Sequence, residues 1–194
     1  MNYVYHGSFF SDIKVLNPVS KLHSDPTQNV VYTTSNRAYA LLYIWDSKHN
    51  KKSTKHVTCA IKNGIVNYYE QFPNQLKSFY DGVSGYVYSA VRDENFVKSA
   101  EEDMWVSKNK VCIENYEKIN NVYDEILNLE KLGSIKIIRF ETLSPEEQDK
   151  MIDMIAGIIK KKELLTLPLS EETIFYSSYY VQAWEKVKSK GLDK

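Results

Sequence analysis

The chain has 194 residues, a formal net charge of zero and 43% hydrophobic residues. This length suits one domain, or one domain with a small appendage, and allows a sizeable buried core. A balanced charge provides no global basic field that would recruit nucleic acid or an acidic membrane. No apolar run approaches the roughly 20 residues of a membrane span, and no basic leader segment precedes the first apolar residues. We therefore expect a cytoplasmic protein without a membrane partner.

The first two thirds of the chain predict short strands that alternate with short helices. Ser35 and Asn36 are suitable N-caps for the first helix, and Asn63-Gly64 is typical of a hairpin turn. Gly133 is a common C-terminal stop for the last helix of this region. Strands are expected at 2–6, 29–35, 56–64, 65–71, 85–91, 103–107 and 110–119. Helices are expected at 37–47 and 121–133, and a loop followed by a short helix at 72–82. The segment 96–100 is expected to be a connector and 48–55 a lysine-rich polar loop.

The last third of the chain has a different, helical character. After a strand or short apolar segment at 134–144, Ser144 and Glu147 form a capping-box pattern around Pro145. A second helix, capped by Ser170, is expected over 170–191. We therefore expect an α+β core with an antiparallel sheet at 1–132, and a helical extension packed on it at 133–194.

A constellation of residues near the N-terminus suits the nicotinamide end of a dinucleotide. Gly7 has no Cβ and therefore allows a carboxamide to approach the backbone, and the preceding His6 is a hydrogen-bonding partner for a ribose. Tyr32 ends a strand and Tyr43 lies near the end of the next helix, so their rings can enclose a flat pyridinium. Tyr39, one helical turn before Tyr43, lies near the same face.

These residues resemble a known family. YHGS at 5–8, followed by VYTTSNRAYALLY at 31–43 with two tyrosines eleven positions apart, is similar to the ADP-ribosyltransferases of the diphtheria-toxin and poly(ADP-ribose) polymerase type. The resemblance implies a mostly antiparallel split sheet with short helices, and NAD as substrate. It also implies that His6 binds the nicotinamide ribose, that Gly7 binds the carboxamide, and that Tyr32 and Tyr43 sandwich the ring.

The family's third element is a glutamate at the start of a late strand, where it stabilises the oxocarbenium-like transition state. In EEDMWVSKNKVCIE, at 101–114, Met104 occupies that position. Glu102 lies two residues earlier, on the same strand face if the strand continues upstream, and Glu101 and Asp103 are its neighbours. Either Glu102 reaches the site through a bulge or a shifted register, or the carboxylate is lost.

Two classes of function follow from these alternatives. With Glu102 in the site, the chain is a transferase that cleaves the nicotinamide–ribose bond and passes ADP-ribose to protein, nucleic acid or water. Without it, the same fold is a catalytically degenerate nucleotide-binding domain, or an interaction module that uses the aromatic segment FYSSYYVQAW at 175–184.

Other site signatures are absent from the sequence. His23, His49 and His56 have no metal-ligand spacing with a cysteine or carboxylate pair, so no metal is expected. The chain also lacks a GxxxxGK[ST] loop, a GxGxxG motif and a Ser/His/Asp elbow. Arg37 and Arg92 are candidate phosphate contacts or plain surface residues.

Overall fold

A computed structural model describes residues 2–49 and 58–191. The lysine-rich segment 48–55 and the expected start of a strand at His56 fall largely outside these residues. The chain forms two compact units. The first consists of Met1–Trp45, Cys59–Asn67 and Tyr80–Lys136, and the second of Asp46–Thr58, Tyr68–Phe79 and Ile137–Lys194. The predicted mixed α+β class with mostly antiparallel sheets is confirmed.

The strands of the described residues form three sheets. The largest has the strand order β11-β7-β1-β4-β9-β8, with β3 also paired to β4; the others are β10-β2 and β12-β6-β5. The strands are β1 Tyr3–Ser8, β2 Val15–Leu16, β3 Ser20–Leu22, β4 Asp25–Thr34, β5 Thr58–Lys62, β6 Ile65–Tyr69, β7 Gly85–Val91, β8 Phe96–Lys98, β9 Met104–Ser107, β10 Val111–Cys112, β11 Asn115–Ile119 and β12 Ile135–Ile138.

The α-helices are short, apart from one in the last third of the chain. Asn36 and Asn121 cap the first and third of them through side chains that accept a backbone N–H, from Tyr39 and Tyr123. The helices are α1 Arg37–Leu41, α2 Gln75–Tyr80, α3 Val122–Lys131, α4 Pro145–Lys161, α5 Glu171–Tyr179 and α6 Val181–Gly191. No helix in the described ranges combines the length and the apolar composition needed to cross a bilayer.

In the first unit, strand β1 lies in the middle of the large sheet. It pairs with β7 along its whole length, from Tyr3–Val91 to Ser8–Tyr86. On its other side it pairs with β4 at Tyr5 and Thr34. Strand pairing between β1 and β4 is therefore confined to the last residue of β4, and the cavity described below is lined by residues of both strands.

The second unit is organised around helices and an aromatic cluster. The capping box predicted at Ser144 and Glu147 is confirmed, and so is the Ser170 cap. Phe175, Tyr176 and Tyr180 of the aromatic segment are each at most 2% exposed. Their rings contact one another at centroid distances of 5.3–5.9 Å, so they are core residues of this unit rather than surface anchors.

Three local expectations were wrong: two expected helices are shorter than their composition suggests, and a segment expected to be a connector contains a strand. The helix expected over 37–47 ends at Leu41, after which the N–H groups of Leu42, Tyr43 and Ile44 bond three residues back in a tighter turn. The helix expected over 170–191 breaks at Tyr180, whose hydroxyl donates to Gln71 Oε1 at 2.7 Å. The expected connector at 96–100 contains β8, which pairs with β9.

Candidate functional site

A cavity of about 490 Å³ lies within the first unit. This volume falls in the range of roughly 300–1,000 Å³ that is typical of small-molecule sites. Its lining includes four of the six residues predicted from the sequence, while Tyr39 and Glu102 lie outside it. The four are His6 and Gly7 on β1, Tyr32 on β4 and Tyr43 in the turn after α1.

The His6 imidazole bridges β1 and β4. Its Nδ1 lies 3.0 Å from the backbone oxygen of Tyr32. Because a carbonyl oxygen only accepts, Nδ1 carries the proton. Burial lowers the pKa of His6 below its ordinary value of 6.5, although the bond to Tyr32 acts in the opposite direction. The neutral ring therefore keeps an acceptor lone pair on Nε2, which suits a hydroxyl that donates a hydrogen bond.

The absence of a side chain at Gly7 has a structural cause. A Cβ at this position would lie 1.9 Å from the backbone oxygen of Ala40 and 3.3 Å from Ile44 Cγ1. Only glycine therefore allows α1 and the turn after it to pack this closely against β1. The same close packing positions Ala40 and Tyr43 on the cavity lining.

Tyr32 and Tyr43, two of the three tyrosines that line the cavity, differ in their surroundings. The Tyr32 hydroxyl accepts from the N–H of His23 at 2.9 Å and donates to the oxygen of Lys21 at 3.3 Å, so β3 holds its ring in place. Burial raises the pKa of Tyr43, although its hydrogen bond with Tyr39 acts in the opposite direction. Tyr43 is therefore a neutral hydroxyl on the cavity lining.

Tyr39 packs against the cavity residue Tyr43. It is buried and does not line the cavity, and its ring contacts that of Tyr43 edge-on at a centroid distance of 5.5 Å. Burial raises its pKa strongly. The predicted proximity of Tyr39 and Tyr43 is confirmed, but the structure gives Tyr39 a packing position rather than one on the cavity.

Of the three acidic residues before β9, Glu101 is the one that lines the cavity, although it is exposed. Glu102 is exposed, and its Oε1 accepts the N–H of Gly64 at 3.3 Å. Asp103 has a left-handed backbone, with φ of 58°, and holds Ser35 through hydrogen bonds. This conformation turns adjacent residues in different directions, a feature that strand alternation alone does not predict. Met104, 3% exposed, also lines the cavity.

Both arginine candidates have partners elsewhere. Arg37 pairs with Glu117 at 2.7 Å and with Glu125 at 2.9 Å, and the Arg92 guanidinium lies 3.8 Å from the centroid of the Trp105 ring. Neither residue lines the cavity.

Sequence reasoning missed a large part of the cavity. One wall comes from the segment 9–23, including Phe10, Ile13, Val15, Leu16 and Val19. The only available signal was the apolar character of these residues, which is equally typical of core. In the part of the chain that the structure describes, no group of three His, Cys, Asp or Glu side chains is placed to hold a metal ion.

No family model matches this chain, and neither does any curated protein or solved structure.

Proposed function

We propose that the cavity binds the nicotinamide riboside end of NAD, and that the protein transfers ADP-ribose from NAD to an acceptor. The observation that carries the proposal is the meeting of four side chains on one cavity lining: His6, Tyr32, Tyr43 and Glu101. They come from two strands and two turns that are far apart in sequence. Their chemistry matches a flat cationic ring attached to a sugar.

Each group has a role in this reaction. Nε2 of neutral His6 accepts a hydrogen bond from a ribose hydroxyl, and the rings of Tyr32 and Tyr43 contact the pyridinium. The bond between ribose C1′ and the pyridinium nitrogen breaks, and its electron pair leaves with neutral nicotinamide. Positive charge then develops at C1′ and the ring oxygen, where the carboxylate of Glu101 stabilises it. The acceptor nucleophile bonds to C1′ and releases its proton to solvent.

Met104 supports a second candidate function. It lies on the same cavity lining, and by resemblance it occupies the position of the family's glutamate. A thioether cannot stabilise a developing cation as a carboxylate does. In this alternative the cavity binds NAD, or another ligand with a flat ring, without cleaving it, and Glu101 remains a solvated residue at the edge.

The adjacent carboxylates Glu101 and Glu102 provide a matched pair for the test. We would measure nicotinamide release from NAD for the wild type, Glu101→Gln and Glu102→Gln. The proposal predicts that Glu101→Gln lowers the rate by about a hundredfold or more, while Glu102→Gln stays within about twofold, because its carboxylate contacts the Gly64 turn instead.

The other outcomes separate the alternatives. A wild type that binds NAD but releases no nicotinamide supports the second candidate. Loss of activity in Glu102→Gln but not in Glu101→Gln would show that the turn rearranges and that Glu102 is the carboxylate. Equal activity in all three proteins would show that neither glutamate takes part in the reaction.

A further inference from the structure

The cavity wall contributed by the segment 9–23 is apolar, in contrast to the end that contains His6 and Glu101. Phe10, Ile13, Val15, Leu16 and Val19 line it. Leu16 belongs to the core cluster of Val4, Val31, Ala90 and Val111, with Ile13 packed against the same cluster. The wall is therefore continuous with the core of the first unit.

Two residues of this wall remain open to solvent. Phe10 is 71% exposed and Val19 is 76% exposed, although both line the cavity. Exposed apolar side chains that border a concave site are a common feature of ligand-binding surfaces. The same cavity of about 490 Å³ includes both this wall and the residues assigned to the nicotinamide riboside, so the wall is a place for a second group beside it.

The wall is held in a fixed position by hydrogen bonds at both ends. The Tyr88 hydroxyl donates to the oxygen of Phe10 at 2.7 Å and accepts the N–H of Ile13 at 3.4 Å. At the other end the Tyr32 hydroxyl contacts the backbone of Lys21 and His23. Between them, β2 pairs with β10 through Val15–Cys112 and Leu16–Val111. A wall fixed in this way is preorganised for a ligand.

The charges of the cavity restrict the chemistry of that ligand. Among the described residues of the lining, Glu101 is the only carboxylate, and there is no lysine or arginine. Apart from the imidazoles of His6 and His23, the lining therefore lacks the cationic side chains on which binding of a polyanion depends. The polar side chains of the wall segment itself are Asn17, Ser20 and His23.

We infer that the apolar wall binds an uncharged apolar group of the ADP-ribose acceptor, and that the acceptor is a small molecule with such a group. The identification of this ligand as the ADP-ribose acceptor rests on the proposed function, whereas the binding of an apolar group to the wall does not. The acceptor's nucleophile would then lie between the wall and the end of the cavity that contains Glu101.

The probe for the test is N-phenyl-1-naphthylamine, an uncharged aromatic dye that fluoresces in apolar sites. We would titrate it into the wild type, Phe10→Asp, Val19→Asp and the control Leu169→Asp. Leu169 is an apolar surface side chain like Phe10 and Val19, with 89% exposure, but it lies in the second unit. We expect binding to the wild type, a loss of about tenfold or more in each wall variant, and no change in the control.

The same titration separates this inference from the proposed function. It is overturned if the wild type does not bind the dye, if the wall variants bind as the wild type does, or if Leu169→Asp is weakened equally. Repeating the titration with saturating NAD tests whether the wall binds the acceptor. Binding of dye and NAD together supports this assignment, and complete displacement of the dye by NAD contradicts it. Dye binding without NAD binding would support the apolar-ligand site and contradict the transferase function. NAD binding without dye binding would contradict the apolar-ligand site and leave the transferase function standing.

Discussion

Replacing Gly7 with alanine is the substitution whose effect follows most directly from the geometry. The new Cβ would lie 1.9 Å from the oxygen and 2.9 Å from the carbon of the Ala40 carbonyl. These are backbone atoms of α1, so no side-chain rotation relieves the clash, and the helix must move away from β1. Overpacking in a well-packed core costs about 1–3 kcal/mol, and a backbone clash belongs at the upper end. At about 2–4 °C per kcal/mol, a loss of about 3 kcal/mol lowers Tm by about 6–12 °C.

The assay is thermal unfolding followed by tryptophan fluorescence and by circular dichroism, with Gly157→Ala as the control. A Cβ at Gly157 meets no atom within 4 Å, and the residue lies inside α4. That substitution should raise stability by about 0.5–1 kcal/mol, since alanine is the better helix former. An unchanged or higher Tm for Gly7→Ala would refute the close approach of α1 to β1.

Three further predictions concern His6, Arg37 and Ser144. Burial lowers the pKa of His6 below 6.5, so the unfolded chain binds its proton at a higher pH than the folded one. The free energy of unfolding should therefore fall as pH decreases from 6.5 towards the folded pKa. The His6→Gln variant should lose this contribution to the pH dependence of stability, which urea unfolding at about pH 7.5 and about pH 5.5 would measure. Arg37→Gln should cost about 1 kcal/mol, because its ion pairs are partly exposed; a double-mutant cycle with Glu117→Gln that gives no coupling energy would contradict the pair. Ser144→Ala removes a capping-box partner of α4 and should cost about 1 kcal/mol, whereas Ser144→Asp, which can still cap, should retain most of the stability.

Local chemistry made several elements of the fold predictable. The capping box at Ser144 and Glu147 depends on residues three positions apart, and it forms as expected. Asn63 and Gly64 both have positive φ, of 53° and 74°, in the turn between β5 and β6, which is the conformation that an Asn-Gly hairpin turn requires.

Elements that depend on distant contacts were not predictable in the same way. The break at Tyr180 coincides with a hydrogen bond to Gln71, more than a hundred residues earlier in the chain. The early end of α1 coincides with the complete burial of Leu42 and Ile44 in the tighter turn that follows. Helical composition alone contains no information about either contact.

The residues of the candidate site likewise differ in how well the sequence predicts them. His6, Gly7, Tyr32 and Tyr43 were found from their type and spacing, because two strands and the turn after a short helix position them. The carboxylate was assigned to Glu102 by strand alternation, but the left-handed Asp103 ends that alternation, and Glu101 is the one that lines the cavity. Three consecutive acidic residues give no sequence signal for which of them lines the cavity.

The measurement that tests the central claim most directly is NAD binding by calorimetry, on the wild type, Tyr43→Leu and Tyr116→Leu. Tyr43 lines the cavity, whereas Tyr116 is a half-exposed tyrosine of β11 in the same unit and outside the cavity. The account predicts that the wild type and Tyr116→Leu bind NAD with similar affinity, and that Tyr43→Leu binds it about tenfold or more weakly, since an aromatic contact with a desolvated cation contributes about 2 kcal/mol. A wild type that binds no NAD at about millimolar concentration, or a Tyr43→Leu variant that binds as well as Tyr116→Leu, would contradict the nicotinamide site.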